Sequence, residues 1–228
     1  MKLRLLSYNI RALRDDNAAL FRVIRAVGAD VVCVQEAPRL LRWRSRSAEI
    51  ARRSGMVVVS GGRTAGANLI MSTLGVTVHS AHDVTLSRDR GQYLRGTSVA
   101  VLSRGGTRFA VAGTHLDLVD EPRLRHVGEL AETFDRLLPA DLPRILAGDM
   151  NCRPGEPAWQ ALTAWGTDVW AAVGAGDGFT FRASNPFERI DAVFVAGGIR
   201  PVSAEVVTSA DTGIATDHLP LLVELEID

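Results

Sequence analysis

The chain is punctuated from end to end by short apolar runs that stop abruptly at polar, chemically capable residues. VVCVQE (31–36), RFAVAGTHL (108–116) and PRILAGDMN (143–151) are the clearest cases. Runs of this length, rich in Val, Ile and Phe, are too short for buried helices and read as strands packed on both faces. The residues at their ends have no packing purpose: Asn9, Gln35-Glu36, Thr114-His115, Gly148-Asp149-Met150-Asn151, Asp191 and Asp217-His218. Strand ends on one edge of a sheet converge in space, and ligands gather there. A fold that brings these widely separated residues to one place is therefore the expectation.

The rest of the chain fits an alternation of strands with amphipathic helices. Residues 2–8 predict a strand. Asp15 and Asp16 can cap a helix that carries Ala19, Leu20, Val23, Ile24 and Val27 on one face and stops at Gly28. Further helices are predicted over 44–53 and 122–138, the second with Leu124, Val127, Leu130, Ala131, Phe134 and Leu137 on its apolar face. Strands are predicted over 56–60, 67–72, 76–81, 96–103, 189–195, 202–208 and 218–227, with Gly-rich turns marking the middle group as antiparallel. No linker, repeat or low-complexity run divides the 228 residues. We therefore expect one domain over residues 1–228, of the α/β (α+β) class with more than one sheet.

Charge narrows the partners. Lys plus Arg equals Asp plus Glu at 26 each, so no global positive field draws the chain to nucleic acid. Charge is concentrated locally instead. Arg39, Arg42, Arg44, Arg46, Arg52 and Arg53 face only Glu49 in their stretch, and the cluster starts three residues after Glu36. This is either a solvated helix face or a contact for an anionic partner, with Trp43 able to stack on a base or to pack in the core. Cys33 and Cys152 are too few for a disulfide framework; Cys33 reads as core, and Cys152 adjoins the polar set. No apolar run reaches the ~20 residues that span a bilayer, and no signal-peptide pattern follows Met1. The expected location is the cytoplasm, and nothing indicates an obligate protein partner.

The convergent set is rich in carboxylate and amide oxygens, hard donors suited to Mg²⁺ or Mn²⁺. Zinc spacing and HExxH are missing, as are a P-loop, a GxGxxG turn and a GxSxG elbow. Taken singly, each residue has a plain structural reading. Asp149 with Asn151 could form a turn, Asn9 an Asx-turn, His115 a buried hydrogen-bonded histidine, and Asp191 an ion pair with Arg189. His79, His82 and His126 match no motif.

As an ordered set, SYN (7–9), QE (35–36), THL (114–116), GDMN (148–151), RID (189–191) and DH (217–218) resemble the endonuclease/exonuclease/phosphatase superfamily, to which pancreatic-type deoxyribonucleases, abasic-site endonucleases, neutral sphingomyelinases and deadenylases belong. The resemblance implies a four-layer αββα sandwich of two packed mixed β-sheets flanked by helices. It implies Glu36 as the main metal ligand with Asn9 nearby, and Asp217 as a further ligand or a group behind it. His218 resembles the family's catalytic histidine and Asp191 its orienting partner. Asp149 and Asn151 resemble the pair that positions water and phosphate, and His115 the second histidine of the deoxyribonuclease and sphingomyelinase branches. Asn68 and Arg95 match positions that can face the phosphate, Arg95 by its fixed fork of donors. Arg11 stands where the abasic-site branch has an acidic residue, which leaves it free to contact phosphate.

The expected activity is divalent-metal-dependent hydrolysis of a phosphoester bond. A phosphodiester is favoured because His115 can serve the leaving group, with nucleic acid, a phospholipid headgroup or a phosphorylated metabolite as substrate. The alternatives are a phosphomonoesterase and a non-catalytic module that binds anionic ligands on the same fold.

Overall fold

The computed structural model describes residues 1–228. Two six-stranded sheets stack face to face. The first is built from β1 (Lys2–Asn9), β2 (Val31–Gln35), β3 (Val57–Gly62), β4 (Asn68–Ser72), β11 (Ile199–Val206) and β12 (Leu221–Ile227), in the order β11-β12-β1-β2-β4-β3. The second contains β5 (Thr77–Thr85), β6 (Gly96–Arg104), β7 (Thr107–His115), β8 (Arg144–Asp149), β9 (Thr167–Asp168) and β10 (Asp191–Ala196), in the order β5-β6-β7-β8-β10-β9. Each sheet is antiparallel except for one parallel pair at its centre, β1 with β2 and β7 with β8.

Strand alternation sorts the side chains into layers. In β1, Leu3 and Leu5 enter a core between the sheets, where Cys33, Ile70, Val111, Ala147, Val193 and Val223 meet them. Leu6 and Tyr8 point the other way, into a second core under α1 (Asn17–Val27) and α2 (Trp43–Ser54). The outer face of the second sheet packs through Val99, Ala112, Leu146 and Phe194 against α3 (Asp120–Leu137) and α4 (Pro157–Trp165). The result is the αββα sandwich. Both sheets are covered on both faces, which explains the near-continuous apolar runs of β2 and β8. Truncating a residue of the middle layer such as Leu5 to Ala would cost about 2–5 kcal/mol.

Local signals explain the element ends. The Asp16 side chain accepts from the Ala19 amide at 2.9 Å and caps α1, and Gly28 at φ 62° stops it. Helix α3 begins at Asp120, two residues before the predicted start. Strand β5 runs on to Thr85, beyond the predicted 81. The predicted strand 218–227 begins only at Leu221, because Pro220 has no N–H for the ladder. That leaves Asp217 and His218 in the preceding loop. Helix α4, the short α5 (Val169–Val173) and α6 (Thr212–Ala215) arise in stretches that carry no clear periodic signal. No helix is long and apolar enough to cross a membrane.

Candidate active site

The alternation that builds the middle core also aims the polar strand ends. Two-residue steps from Leu5, Cys33, Val111, Ala147, Val193 and Ile70 lead to Asn9, Gln35, His115, Asp149, Asp191 and Asn68. All six side chains therefore occupy the inter-sheet layer at the end of the sandwich where the apolar core stops. Glu36 lies one residue past β2 at φ 54°, and Asn151 two past β8 at φ 49°. Both hold the left-handed conformation, uncommon for residues with a side chain, and such strain concentrates at functional sites. Asn151 closes an Asx-turn, its backbone N–H donating to Asp149 Oδ1 at 3.0 Å. The pair thus forms the expected turn and borders the site as well.

Asp149 is the hub. It is 2% exposed, and its Oδ2 accepts from Asn9 Nδ2 at 3.0 Å. The same oxygen lies 3.4 Å from His115 Nε2 and 3.7 Å from His218 Nε2. His218 Nδ1 donates to Asp191 Oδ2 at 2.8 Å, which leaves Nε2 facing Asp149. The Phe181 ring covers His218 at 4.9 Å between centroids. Burial disfavours the imidazolium of His218, but Asp191, by charge and by its hydrogen bond, and Asp149 outweigh it and push the pKa up to about 10. His115 goes the other way. Burial, which outweighs the attraction of Asp149, holds it neutral with a pKa of about 3, and Arg95 and His218 add to the effect. Two histidines on one carboxylate thus rest in opposite protonation states.

Glu36, His115, Asp149, Asn151, Asp217, His218 and Arg95 all line one cleft of about 700 Å³. Asn9 and Asp191 stand behind this lining, each hydrogen-bonded to a residue that forms it. Asn68 does not reach the cleft. It is fully buried, and its Nδ2 donates to the carbonyls of Ala65 at 2.8 Å and Gly96 at 2.9 Å. It ties together two loops whose backbones touch, so closely that a Cβ on Gly66 would lie 2.4 Å from the Gly96 nitrogen. Arg95 is buried beside Asp117, its Nε 4.0 Å from that carboxylate. Burial lowers its pKa, against the pull of Asp149, Asp117 and Glu36.

A hard divalent cation fits this donor set at Glu36. Its carboxylate borders the cleft, makes no ion pair, and receives one long hydrogen bond, from Asn9 Nδ2 at 3.3 Å. An acceptor-only group left so in an arginine-rich surround offers oxygens of the type Mg²⁺ and Mn²⁺ prefer. Asp217 is engaged by Arg11, Nε to Oδ2 at 3.3 Å. Asn9 turns its NH₂ group towards both Glu36 and Asp149, and its Oδ1 accepts from the Arg11 amide at 3.0 Å. Asp149, Asp191 and His218 also place ligand-type atoms within 4.8 Å of one another, but the His218–Asp191 hydrogen bond already occupies two of them.

Several contributors carry little signal in the sequence. Phe181 sits in an irregular loop with no periodicity to mark it. Asp117 directly succeeds the THL motif and is 2% exposed beside Arg95, so its position was the available signal. Arg123 is buried on α3 and donates to the carbonyls of Leu118 at 3.2 Å and Asn151, which holds the Asn151 turn in place. Arg11, expected to be free for phosphate, is bound to Asp15 and Asp217. Cys152 is buried, and burial pushes its thiol up to about 12, so it offers no thiolate. His79 and His126 bond to Ser103 and to the Ser87 carbonyl, and neither lines the cleft.

No curated protein matches the chain by sequence. Solved structures match its fold closely. An endonuclease/exonuclease/phosphatase family protein from Bacteroides thetaiotaomicron superposes with a TM-score of 0.85 at 19% identity, over 100% of this chain and 98% of that one. A mannosyl-6-phosphatase of the same organism gives 0.83 at 19% identity, over 99% and 100%. D. rerio TDP2, complexed with a single-strand DNA product, gives 0.78 at 20% identity, over 99% of each chain. The sequence profile of the Endonuclease/Exonuclease/phosphatase family matches residues 6–218, and with the strand-end residues gathered in family order at one cleft, the chain belongs to that family.

Proposed function

We propose that the protein is a divalent-metal-dependent hydrolase that cleaves phosphoester bonds with water, phosphodiesters in preference to monoesters. The observation that carries this reading is the Asp149 carboxylate, held by Asn9 and facing two histidine nitrogens at the floor of one cleft. Glu36, with Asp217 close by, would hold Mg²⁺ or Mn²⁺. The bound cation would neutralise charge on a phosphate oxygen and stabilise the charge that gathers in the transition state.

The chain's own residues supply the proton chemistry. Asp149 Oδ2 is the resting acceptor for the proton of the attacking water. His218 is held as the imidazolium by Asp191 and donates its Nε2–H to a phosphate oxygen. When it is deprotonated, the Nδ1–H bond to Asp191 keeps the lone pair on Nε2, where it can share the base role with Asp149. His115 rests neutral, so it serves the leaving side by a hydrogen bond rather than by giving up a stored proton. Asn151 positions the water and phosphate, and Arg95 contributes guanidinium donors to a phosphate oxygen. Asn68 supports this indirectly, by fixing the loop that carries Arg95.

The diester preference is supported by the shape of the cleft. Its lining includes Arg39, Tyr93 and Leu94 as well as Arg153, Phe181 and Glu188. A cleft of about 700 Å³ leaves room for a second substituent on the phosphorus. Turnover of bis-p-nitrophenyl phosphate and p-nitrophenyl phosphate, with chelator and after Mg²⁺ or Mn²⁺ is restored, tests the proposal. Diester turnover should exceed monoester turnover and vanish with the metal. Metal-independent turnover would remove the role of Glu36, and monoester preference would reverse the substrate class.

A further inference from the structure

We propose that the turn joining β2 to α2, together with the first residues of that helix, docks the protein on an anionic phospholipid surface beside the mouth of the cleft. Two leucines sit side by side at the tip of this turn, Leu40 at 79% and Leu41 at 90% exposed. The turn is closed by the Trp43 amide donating to the Leu40 carbonyl at 3.1 Å, with Arg42 in the left-handed conformation at φ 62°. An arginine seldom adopts this backbone, and here it holds both leucines away from the protein.

Arginines ring the leucines. Arg39, Arg42, Arg44 and Arg63 border the same surface groove as Leu40 and Leu41. None of the four has a carboxylate partner, and the ion pair in this stretch is that of Arg53 with Glu49 at 3.8 Å. The chain as a whole is neutral, so this is a local excess of unpaired positive charge around an apolar tip. That combination matches a bilayer interface. Leucines enter below the headgroups while guanidinium groups remain among the lipid phosphates. The groove shares Arg39 and Leu94 with the active-site cleft, which places the cleft mouth against the same surface.

Single-stranded nucleic acid is the competing partner, and the geometry disfavours it. Trp43, the aromatic ring among these arginines, lies against Gly62 and carries the Arg44 guanidinium 4.3 Å from its centroid, while Tyr93, 59% exposed, lines the cleft rather than this groove. Exposed leucines also contribute nothing to phosphate binding.

Docking stands independently of the hydrolytic reading, and binding tests it without turnover. The whole protein is floated with vesicles of phosphatidylcholine and phosphatidylglycerol, and with phosphatidylcholine alone. Binding is expected only with the anionic lipid, weakening as salt rises. Leu40→Ser with Leu41→Ser should abolish it. Arg42→Ala and Arg44→Ala should each weaken partitioning about fivefold. Circular dichroism confirms folding of these surface variants, and turnover of soluble bis-p-nitrophenyl phosphate should remain at the wild-type rate. The proposal is overturned if the wild type does not float with anionic vesicles, if the double leucine variant binds as well, or if an oligothymidylate displaces the vesicles.

Discussion

The two sheets have the same architecture and different chemistry. Read across from β11 and from β5, both run through two antiparallel pairings, a central parallel pair and two further antiparallel pairings. Equivalent strands end at equivalent places. Asn9 closes β1 as His115 closes β7, Gln35 closes β2 as Asp149 closes β8, and Asn68 opens β4 as Asp191 opens β10. Even the loops correspond, with His218 shortly before β12 and Arg95 directly before β6. At the three strand ends the first sheet supplies neutral amides, and the second supplies ionisable groups. Topology alone thus delivers side chains to the shared layer between the sheets. Which of them can carry charge is decided by one residue per strand. The first sheet makes its ionic contributions off the strands, at Glu36, where the left-handed turn lets a carboxylate reach the cleft, and at Asp217 and His218 in the loop before β12.

The strongest way to break this division is at the parallel-pair ends. Asp149→Asn should lower kcat by about 10³–10⁴-fold, since it removes the proposed proton acceptor. Its counterpart Gln35→Ala should leave turnover within about tenfold and act on stability instead. Gln35 lies wholly inside, its Nε2 donating to the Cys33 carbonyl at 3.2 Å and to Ser7 Oγ at 3.4 Å, so a loss of about 1–3 kcal/mol is expected in denaturant melts. Comparable rate losses in both would mean that the two sheets divide no labour.

A smaller contrast compares the strand starts. Asp191→Asn should lower kcat by about 10²–10³-fold and shift its pH profile, because His218 loses the group that holds it protonated. Asn68→Ala should release the loops of Ala65 and Gly96, cost about 1–3 kcal/mol of stability, and raise KM through Arg95 more than it lowers kcat. An unaltered pH profile in Asp191→Asn would detach that residue from the histidine.

A further contrast is between the two histidines, read as stability against pH in chelator. His115 has a folded pKa of about 3 against an ordinary 6.5, so its contribution is complete above 6.5 and is lost as pH falls towards 3. His218, raised to about 10 from 6.5, contributes fully below 6.5 and loses that contribution as pH rises towards 10. Thermal melts should therefore show highest stability near pH 6.5. His115→Asn should flatten the acid arm and His218→Asn the alkaline arm, and variants that leave both arms unchanged would refute the opposed protonation states.

The legible part of this molecule is whatever repeats at a period of two. The alternation of Leu3, Leu5 and Ser7 carries Asn9 to the layer between the sheets, whereas VVCVQ and RILAGD, buried on both faces, mark only that Gln35 and Asp149 close buried strands. Ordered motifs then supply the family, and with it the layers. Loop-borne groups are less legible, because no periodicity reports where a loop side chain points. Phe181 over His218 is of this kind, and Arg123, though on α3, is a buried charge whose carbonyl partners at Leu118 and Asn151 no periodicity announces. Arg11 looks free in the sequence because its partners, Asp15 and Asp217, are near and far along the chain, and only folding brings the second within 3.3 Å. Asn68 falls on the expected strand, but the bonds that take its amide inward depend on how Gly66 and Gly96 pack.

The central claim is that carboxylates from the two sheets serve one reacting phosphate, and a double-mutant cycle tests it most directly. Diester turnover at saturating Mg²⁺ is measured for wild type, Glu36→Gln, Asp149→Asn and the double variant. A shared centre predicts strong non-additivity, the double variant being little slower than the worse single one. If the two losses multiply in full, Glu36 and Asp149 act independently and the single-site account is contradicted.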